Sequence, residues 1–186
     1  MIHNLRICNI LGTSRPGSYT GSALDLAVKK LRTPHKGLNI YIDDIRPNDL
    51  SLPFPGHKII DSDTDYIKDI ICKSDGLIFA TPEYHGGMSA TSKLIIENLG
   101  YPSALKNKPV SLLGCAAGKA GAYKALDQLS SVLSHVGALP IPEFISIAQV
   151  RKAFDEQGNC LDNNISELVE CVADQLLSHL IKQRES

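Results

Sequence analysis

The 186-residue sequence contains no tryptophan, and aromatic residues make up only 5% of it. The large side chains of its core must therefore be mostly aliphatic. A net charge of either sign is also nearly absent, because 19 Lys and Arg residues stand against 20 Asp and Glu residues. A general nucleic-acid-binding protein shows a basic excess or stripe, so this balance argues against that class. A hydrophobic fraction of 43% with 21% charged residues is ordinary globular composition.

Long apolar runs and paired cysteines are missing as well. No apolar run reaches the roughly 18 residues of a membrane span, so we expect no membrane association. The five cysteines are scattered, and none forms a Cys-x-x-Cys pair. The apolar N-terminus carries no basic leader and runs into a glycine turn, which indicates a strand rather than a signal peptide. We therefore predict a cytoplasmic protein with reduced thiols and, because His and Cys lack ligand spacing, no metal site.

The sequence does contain an alternation of short apolar runs with longer amphipathic runs. The apolar runs predict five strands, at residues 5–11, 38–43, 76–81, 109–115 and 139–147. Helical spacing of apolar residues predicts five helices, at about 22–32, 61–73, 89–99, 122–135 and 165–180. Strands that alternate with helices indicate a parallel sheet covered on both faces, here a single domain over residues 1–186.

The character of each strand predicts its place in the sheet. The third and fourth strands are apolar throughout, as central strands must be. The second strand alternates, and the fifth carries Pro140 and Pro142, which cannot donate to a ladder, so both are expected at edges. The flavodoxin-like order 2-1-3-4-5 satisfies these conditions. We therefore predict a flavodoxin-like three-layer α/β sandwich with a five-stranded parallel sheet in that order.

A loop rich in hydroxyl groups follows the first strand. It runs from Gly12 to Thr20 (GTSRPGSYT) and leads into the first predicted helix. The N-terminus of a helix presents unpaired N–H groups and a partial positive charge, and hydroxyls together with Arg15 add further donors. This pattern favours a phosphate-binding loop. An ordinary capping loop remains the alternative, with Ser18 or Thr20 capping the helix and Arg15 in solvent.

Two further loops follow the third and fourth strands. They read TPEYHGGMS from Thr81 and GCAAGKAG from Gly114. In an open parallel sheet, ligands bind beyond the carboxyl ends of the strands, where the strand order reverses. The three loops should therefore converge on one ligand. A planar ring with a phosphate tail fits small residues around a phosphate loop, and flavin mononucleotide (FMN) has both parts.

These motifs resemble those of the NADPH-dependent FMN reductases, a family of flavodoxin-like fold. The family's first loop, G-S-x-R-x-x-S-x-N/T, is matched by residues 12–20, with Thr13 in place of the usual serine. Its second loop, T-P-E-Y-N/H-G-S, is matched by residues 81–86, and Lys93 in the following helix is in register. The resemblance covers roughly residues 5–142. Ala90, Ser92 and Asn98 depart from the family pattern.

The resemblance implies a set of FMN-binding residues. The phosphate would be held by Thr13, Arg15, Ser18 and Thr20, with Tyr19 beside them. The ribityl chain and ring would lie against Pro82, Glu83, Tyr84, His85 and Gly86, and the other edge of the ring against Ala117 and Gly118. No side chain is expected to be catalytic, because the flavin carries the hydride chemistry.

The resemblance also implies an activity, namely NAD(P)H-dependent oxidoreduction with FMN, NADPH or NADH being the reductant. Because the sequence shows no second nucleotide-binding fingerprint, the hydride should pass to FMN and then to an acceptor in a ping-pong mechanism. The acceptor would be a small molecule such as FMN, a quinone, an azo dye or a metal oxyanion. Related reductases pair, so a homodimer or homotetramer is expected. The alternative is a flavodoxin-type electron carrier or flavin-dependent redox sensor without NAD(P)H turnover.

Several residues in or near these loops have a competing structural interpretation. His85 either protonates a quinone or contacts the flavin, or it is a hydrogen-bonding loop residue. Cys115 is either redox active or simply a small residue that ends a buried strand. Glu83 is either a proton donor or a helix cap. Lys119 and Lys124 either attract a pyridine-nucleotide phosphate or are solvated lysines.

Overall fold

The strands and helices of the computed structural model, which describes residues 3–185, alternate along the chain. The strands are β1 (His3–Leu11), β2 (Leu38–Ile45), β3 (Gly76–Tyr84), β4 (Gly87–Met88), β5 (Pro109–Cys115), β6 (Leu139–Pro140) and β7 (Ile145–Ile147). The α-helices are α1 (Tyr19–Leu31), α2 (Thr64–Lys73), α3 (Ala90–Glu97), α4 (Tyr123–His135), α5 (Val150–Ala153) and α6 (Asn163–Glu185). In this described part of the chain, no helix is long and apolar enough to cross a bilayer.

The sheet has seven strands, with the order β2-β1-β3-β5-β6 along its main path. All pairs on this path are parallel, which confirms the predicted parallel α/β sheet. The prediction of five strands in the order 2-1-3-4-5 is wrong, because two further short strands are present. β4 returns antiparallel along β3, and β7 pairs with the carboxyl half of β5.

The predicted fifth strand is broken into two pieces. β6 pairs with Pro109 and Val110 at the start of β5, and β7 pairs with residues 113–115 at its end. Pro142 lies between the two pieces and has no N–H to give to the ladder, which explains the break. The interruption leaves the carboxyl end of β7 at the same edge of the sheet as the end of β5.

Two apolar layers cover the sheet, one on each face. Ile7, Ile78 and Leu113 contribute to the layer that packs against α1 and α6. Ile10 and Phe79 contribute to the layer that packs against α2, α3 and α4. Side chains of a strand point alternately to the two faces, so continuous apolar strands supply both layers. Apart from Phe79 and Phe154, the largest fully buried side chains are Leu and Ile, as the scarcity of aromatic residues predicts.

Candidate functional site

A cavity of about 280 Å³ opens at the carboxyl edge of the sheet. The loops after β1 and β5 reach it, together with the last residues of β3 and the segment after β7. Its lining consists of Arg15, Gly17, Ser18, Tyr19, Thr20, Pro82, Glu83, Tyr84, Cys115, Ala117, Val150 and Arg151. The structure thus brings most of the predicted binding residues to one cavity. The other predicted residues, Thr13, His85, Gly86 and Gly118, are not part of this lining.

The loop after β1 is shaped by its own hydroxyl groups. Ser18 caps α1, since its Oγ accepts a hydrogen bond of 3.0 Å from the Gly21 N–H. That bond uses a lone pair, so the Ser18 O–H can still donate to a ligand. Thr13 is buried, and its Oγ1 accepts from the Arg15 N–H at 3.2 Å. The cap and the turn leave the exposed guanidinium of Arg15 at the cavity with no acceptor among residues 3–185.

A buried cluster of hydroxyl groups, formed by Thr81, Ser89 and Ser92, joins the ends of β1 and β3. Ser89 Oγ donates to the carbonyl oxygen of Gly12, and Ser92 Oγ lies 2.9 Å from Thr81 Oγ1. Ser89 also caps α3 by accepting from the Ser92 N–H at 3.0 Å. Gly12 is required here, because a Cβ atom would lie 2.0 Å from Ser92 Oγ and 2.8 Å from the Ala80 carbonyl oxygen. The hydroxyl cluster therefore fixes where the β1 loop begins.

The loop after β3 is a tight hairpin. Tyr84 of β3 pairs with Gly87 of β4, and His85 and Gly86 form the two-residue turn between them. Both turn residues have positive φ, 51° and 73°, as a type I′ hairpin turn requires. The hairpin places His85 and Gly86 at an exposed tip and directs the Tyr84 hydroxyl to within 3.5 Å of Thr13 Oγ1.

Helix α4 holds this hairpin at two points. The Met88 N–H donates to Gln128 Oε1 at 2.9 Å, and the Glu83 carboxylate accepts from the Ala125 N–H at 3.2 Å. Ala125 lies in the first turn of α4, whose own N-cap residue makes no side-chain hydrogen bond. Glu83 therefore satisfies an N–H group at the start of α4, as a helix-capping residue does.

Cys115 ends β5 at the back of the cavity and is buried. Burial raises the pKa of this thiol to about 12, and a hydrogen bond with Thr20 opposes the shift only in part. The side chain is therefore a neutral thiol at physiological pH, and a thiol without thiolate character is a poor nucleophile.

The segment after β7 forms a wall that sequence reasoning missed. Gln149 adopts a left-handed conformation with φ of 48°, and its N–H donates to the Gly118 carbonyl oxygen at 3.0 Å. The Val150 N–H donates to the Ala116 carbonyl oxygen at 3.0 Å, which brings Val150 and Arg151 to the cavity. The sequence did offer one indication of this wall. The last predicted strand is parallel to the other strands, so its carboxyl end must lie at the same edge of the sheet as their carboxyl ends.

The donors and walls of the cavity fit the two parts of FMN. A phosphate needs cationic and N–H or O–H donors, which Arg15, Ser18 and the N-terminus of α1 supply. A planar ring needs weakly polar contacts, and Pro82, Tyr84 and Ala117 in the lining can supply them. Among residues 3–185 no cluster of His, Cys, Asp and Glu is arranged to hold a metal ion. The fold and the cavity together define a class of protein, the flavodoxin-like flavoproteins.

Comparison with known proteins identifies the family. A profile of the family described as NADPH-dependent FMN reductase matches residues 5–152. An NAD(P)H-dependent FMN reductase of Pseudomonas aeruginosa is 31% identical over 180 residues, which cover 91% of this chain and 92% of that protein. An NADPH azoreductase of a Bacillus species is 29% identical over 119 residues, or 64% of each chain. The chain belongs to the NADPH-dependent FMN reductase family.

A solved structure supports the same fold. The flavoenzyme NAD(P)H:(acceptor) oxidoreductase of Paracoccus denitrificans superposes with a TM-score of 0.71 at 21% identity, covering 94% of this chain and 98% of that one. The family membership and this fold confirm the prediction of an NAD(P)H-dependent oxidoreductase that uses FMN on a flavodoxin-like scaffold.

Proposed function

We propose that the cavity at the carboxyl edge binds FMN, with the phosphate at residues 12–20 and the ring between the β3–β4 hairpin and the loop after β5. FMN, when bound, supplies the hydride chemistry. The observation that carries this proposal is that one cavity is lined by a capped polar loop, by the unpaired guanidinium of Arg15 and by the weakly polar residues Pro82, Tyr84 and Ala117. The whole chain, residues 1–186, acts as one FMN-binding domain in this proposal.

At the phosphate end, the residues divide into ligand donors and loop supports. Arg15 and Ser18 line the cavity with free donor groups, and the N–H groups of Tyr19 and Thr20 begin α1 beside them. Thr13 is buried and holds the loop through the Arg15 N–H, so its role is to shape the phosphate site. A guanidinium and a hydroxyl that hydrogen-bond to a doubly charged phosphate form charge-assisted contacts, which are the strong kind.

At the ring end, the chain orients the flavin and leaves one side open. Pro82, Tyr84 and Ala117 line this end of the cavity, and the tip residues His85 and Gly86, which follow Tyr84 outside the lining, would offer backbone N–H groups to the ring edge. The loop after β5, with Gly118, borders the other edge of the ring. The Glu83 carboxylate is engaged by the start of α4, which supports a positioning role rather than proton donation.

The acceptor and the reductant share the open side in turn in this proposal. NADPH or NADH enters first and leaves, and a small acceptor such as free FMN, a quinone, an azo dye or a metal oxyanion enters next. Steady-state rates measured at several NADPH concentrations should then give parallel double-reciprocal lines. Intersecting lines would contradict a shared site.

We also propose a homodimer or homotetramer. Three large apolar side chains away from the cavity lining are exposed to solvent, Phe54 at 68%, Ile60 at 91% and Tyr101 at 88%. Phe54 and Gly100, the residue before Tyr101, line one surface pocket, so Phe54 and Tyr101 belong to one exposed apolar region, and contiguous apolar regions mark surfaces that pair with another chain. Sedimentation velocity at micromolar concentration should show the larger species, and a monomer would contradict this part of the proposal.

The phosphate assignment is tested with a matched pair of arginine variants. Arg15→Ala should raise the Kd for FMN by about 10-fold or more, because it removes a charge-assisted hydrogen bond. Arg32→Ala serves as the control, since Arg32 is exposed at the opposite end of α1. Riboflavin, which lacks the phosphate, should bind all three proteins alike. Failure of the wild-type protein to bind FMN would overturn the proposal.

A further inference from the structure

Two arginines from distant parts of the chain line the same cavity. Arg15 follows β1, and Arg151 lies on the short helix α5 after β7. Neither guanidinium has an acceptor or an ion-pair partner within residues 3–185. The proposed function uses Arg15 and leaves Arg151 without a role.

Backbone hydrogen bonds fix the position of Arg151 on the cavity wall. The Ala116 N–H donates to the Ile147 carbonyl oxygen at 2.9 Å, and the Val150 N–H donates back to the Ala116 carbonyl oxygen at 3.0 Å. Val150 is itself buried. Val150, the residue before Arg151, is therefore fixed by burial and by a backbone hydrogen bond. Arg151 accordingly lies on a segment with a fixed position rather than on a free loop.

The same segment runs close to the start of α1. Thr20 in the first turn of α1 and Cys115 at the end of β5 line the same cavity, and Cys115 is paired in the sheet with Ile147, just before α5. Beyond α5, the chain at Gly158 approaches α1 so closely that a Cβ atom there would lie 2.9 Å from Ser22 Oγ. The segment that carries Arg151 therefore lies between the loop after β5 and the first turns of α1, and Arg151 lines the cavity together with Arg15 and Ser18.

The charges of the cavity favour an anion at this end. The lining contains two arginines and one acidic residue, Glu83, whose carboxylate is engaged by the Ala125 N–H. Two guanidinium groups in one small cavity repel each other, and a doubly charged anion that contacts both removes that repulsion. Planar guanidinium forks match phosphate oxygens in geometry as well as in charge.

We propose that Arg151 binds the phosphate of FMN together with Arg15, and that Arg151 thereby makes the site selective for the phosphorylated flavin. This inference rests on the proposed FMN site and adds a residue that the phosphate loop itself does not contain. The alternative is that Arg151 binds a phosphate group of the reductant, NADPH or NADH. The experiment distinguishes this alternative from binding of the FMN phosphate.

The test compares Arg151→Ala and Arg151→Lys with Lys152→Ala, an exposed cation next to Arg151 that does not line the cavity. FMN and riboflavin are titrated into each apoprotein by flavin fluorescence. Arg151→Ala should raise the Kd for FMN by about 10-fold or more, because a charge-assisted hydrogen bond is lost. Arg151→Lys should give a smaller rise, since a point charge replaces the fork. Lys152→Ala should match the wild type, and riboflavin affinity should not change.

A second readout is the pH dependence of FMN binding. A phosphate monoester has a second pKa of about 6, so it gains a negative charge between pH 5 and pH 7. The wild-type Kd for FMN should fall over this range, and the fall should be smaller in Arg151→Ala. This readout does not need measurable riboflavin binding.

Two results would overturn the inference. One is an FMN Kd for Arg151→Ala equal to that of the wild type, and the other is an equal loss of affinity for FMN and riboflavin. If the FMN Kd is unchanged and the KM for NADPH is raised, Arg151 is assigned to the reductant instead. If the wild-type protein itself does not bind FMN, the proposed function fails, and that result is distinct from the other two.

Discussion

Replacement of Ser89 by alanine is the sharpest test of how the hydroxyl cluster supports the site. Ser89 is buried at the start of α3, where its Oγ accepts from the Ser92 N–H at 3.0 Å and donates to the Gly12 carbonyl oxygen. The alanine variant removes both bonds. It leaves the longer contact from Ser92 Oγ as the side-chain contact between α3 and the carbonyl oxygen of Gly12, the first residue of the proposed phosphate loop.

The expected loss of stability follows from these two bonds. Loss of a serine N-cap costs about 1 kcal/mol, and loss of a buried hydrogen bond costs about 1 kcal/mol more. Ser92 Oγ still lies 3.3 Å from the Gly12 carbonyl oxygen, so that acceptor is not left unpaired and the total stays near 2 kcal/mol. For a chain of this length, about 2 kcal/mol lowers the thermal midpoint by roughly 4 to 8 °C.

Two neighbouring variants make the comparison specific. Ser92→Ala removes one hydroxyl whose partners keep other hydrogen bonds, so about 1 kcal/mol, or roughly 2 to 4 °C, should be lost. Thr91→Ala, on the same helix turn but outside the hydroxyl cluster, should stay near the wild type. Thermal and urea unfolding of the apoproteins measure all three. A Ser89→Ala midpoint no lower than that of Thr91→Ala would refute this reasoning.

Three further predictions concern the β3–β4 hairpin and the buried end of β5. Gln128→Ala should cost about 1 kcal/mol in urea unfolding and weaken FMN binding, because the Met88 N–H of the hairpin loses its acceptor. His85→Val should cost about 1 to 2 kcal/mol while His85→Gly stays near neutral, because a φ of 51° disfavours β-branched residues; equal midpoints would contradict the hairpin geometry. The raised pKa of Cys115, about 12, means that the folded state keeps a proton that the unfolded state loses above about pH 9. Stability should therefore fall from pH 9 towards pH 12, and Cys115→Ala should reduce that decline in unfolding experiments at pH 8 and pH 10.

The parts of the fold that could be predicted are those set by long patterns. The continuous apolar runs of β1, β3 and β5 predict central strands, and their carboxyl ends locate the three loops of the candidate site. Central strands are buried on both faces of the sheet, so their residues are apolar throughout. The sequence of each strand shows this directly. Most residues of the cavity lining belong to the three predicted loops, because the carboxyl ends of the strands locate those loops.

The parts that could not be predicted are short and depend on tertiary partners. β4 has only two residues and exists because His85 and Gly86 adopt positive φ. Helix α5 has four residues, and its start depends on the left-handed Gln149 and on carbonyl groups of the loop after β5. Helix and strand periodicity can be recognised only over more than two to four residues. The sequence pattern therefore did not predict that Arg151 lines the cavity.

The scarcity of aromatic residues has a structural consequence at the site. Tyr19 and Tyr84 are the aromatic residues in the described cavity lining, and Tyr84 is 41% exposed. The proposed ring site therefore has one aromatic side chain, Tyr84, beside Pro82 and Ala117. Such a site leaves room for a second planar molecule, as exchange of a hydride with successive partners requires.

The central claim is that this chain binds FMN in the cavity and that NAD(P)H reduces it there. Anaerobic addition of NADPH, or of NADH, to the FMN-loaded protein tests this most directly when flavin absorbance near the visible maximum is followed by stopped flow. We predict rapid bleaching by at least one of the two reductants, followed by recovery of the colour when a quinone or azo acceptor is added. Bound flavin that bleaches only with dithionite would contradict the claim and indicate an electron carrier instead.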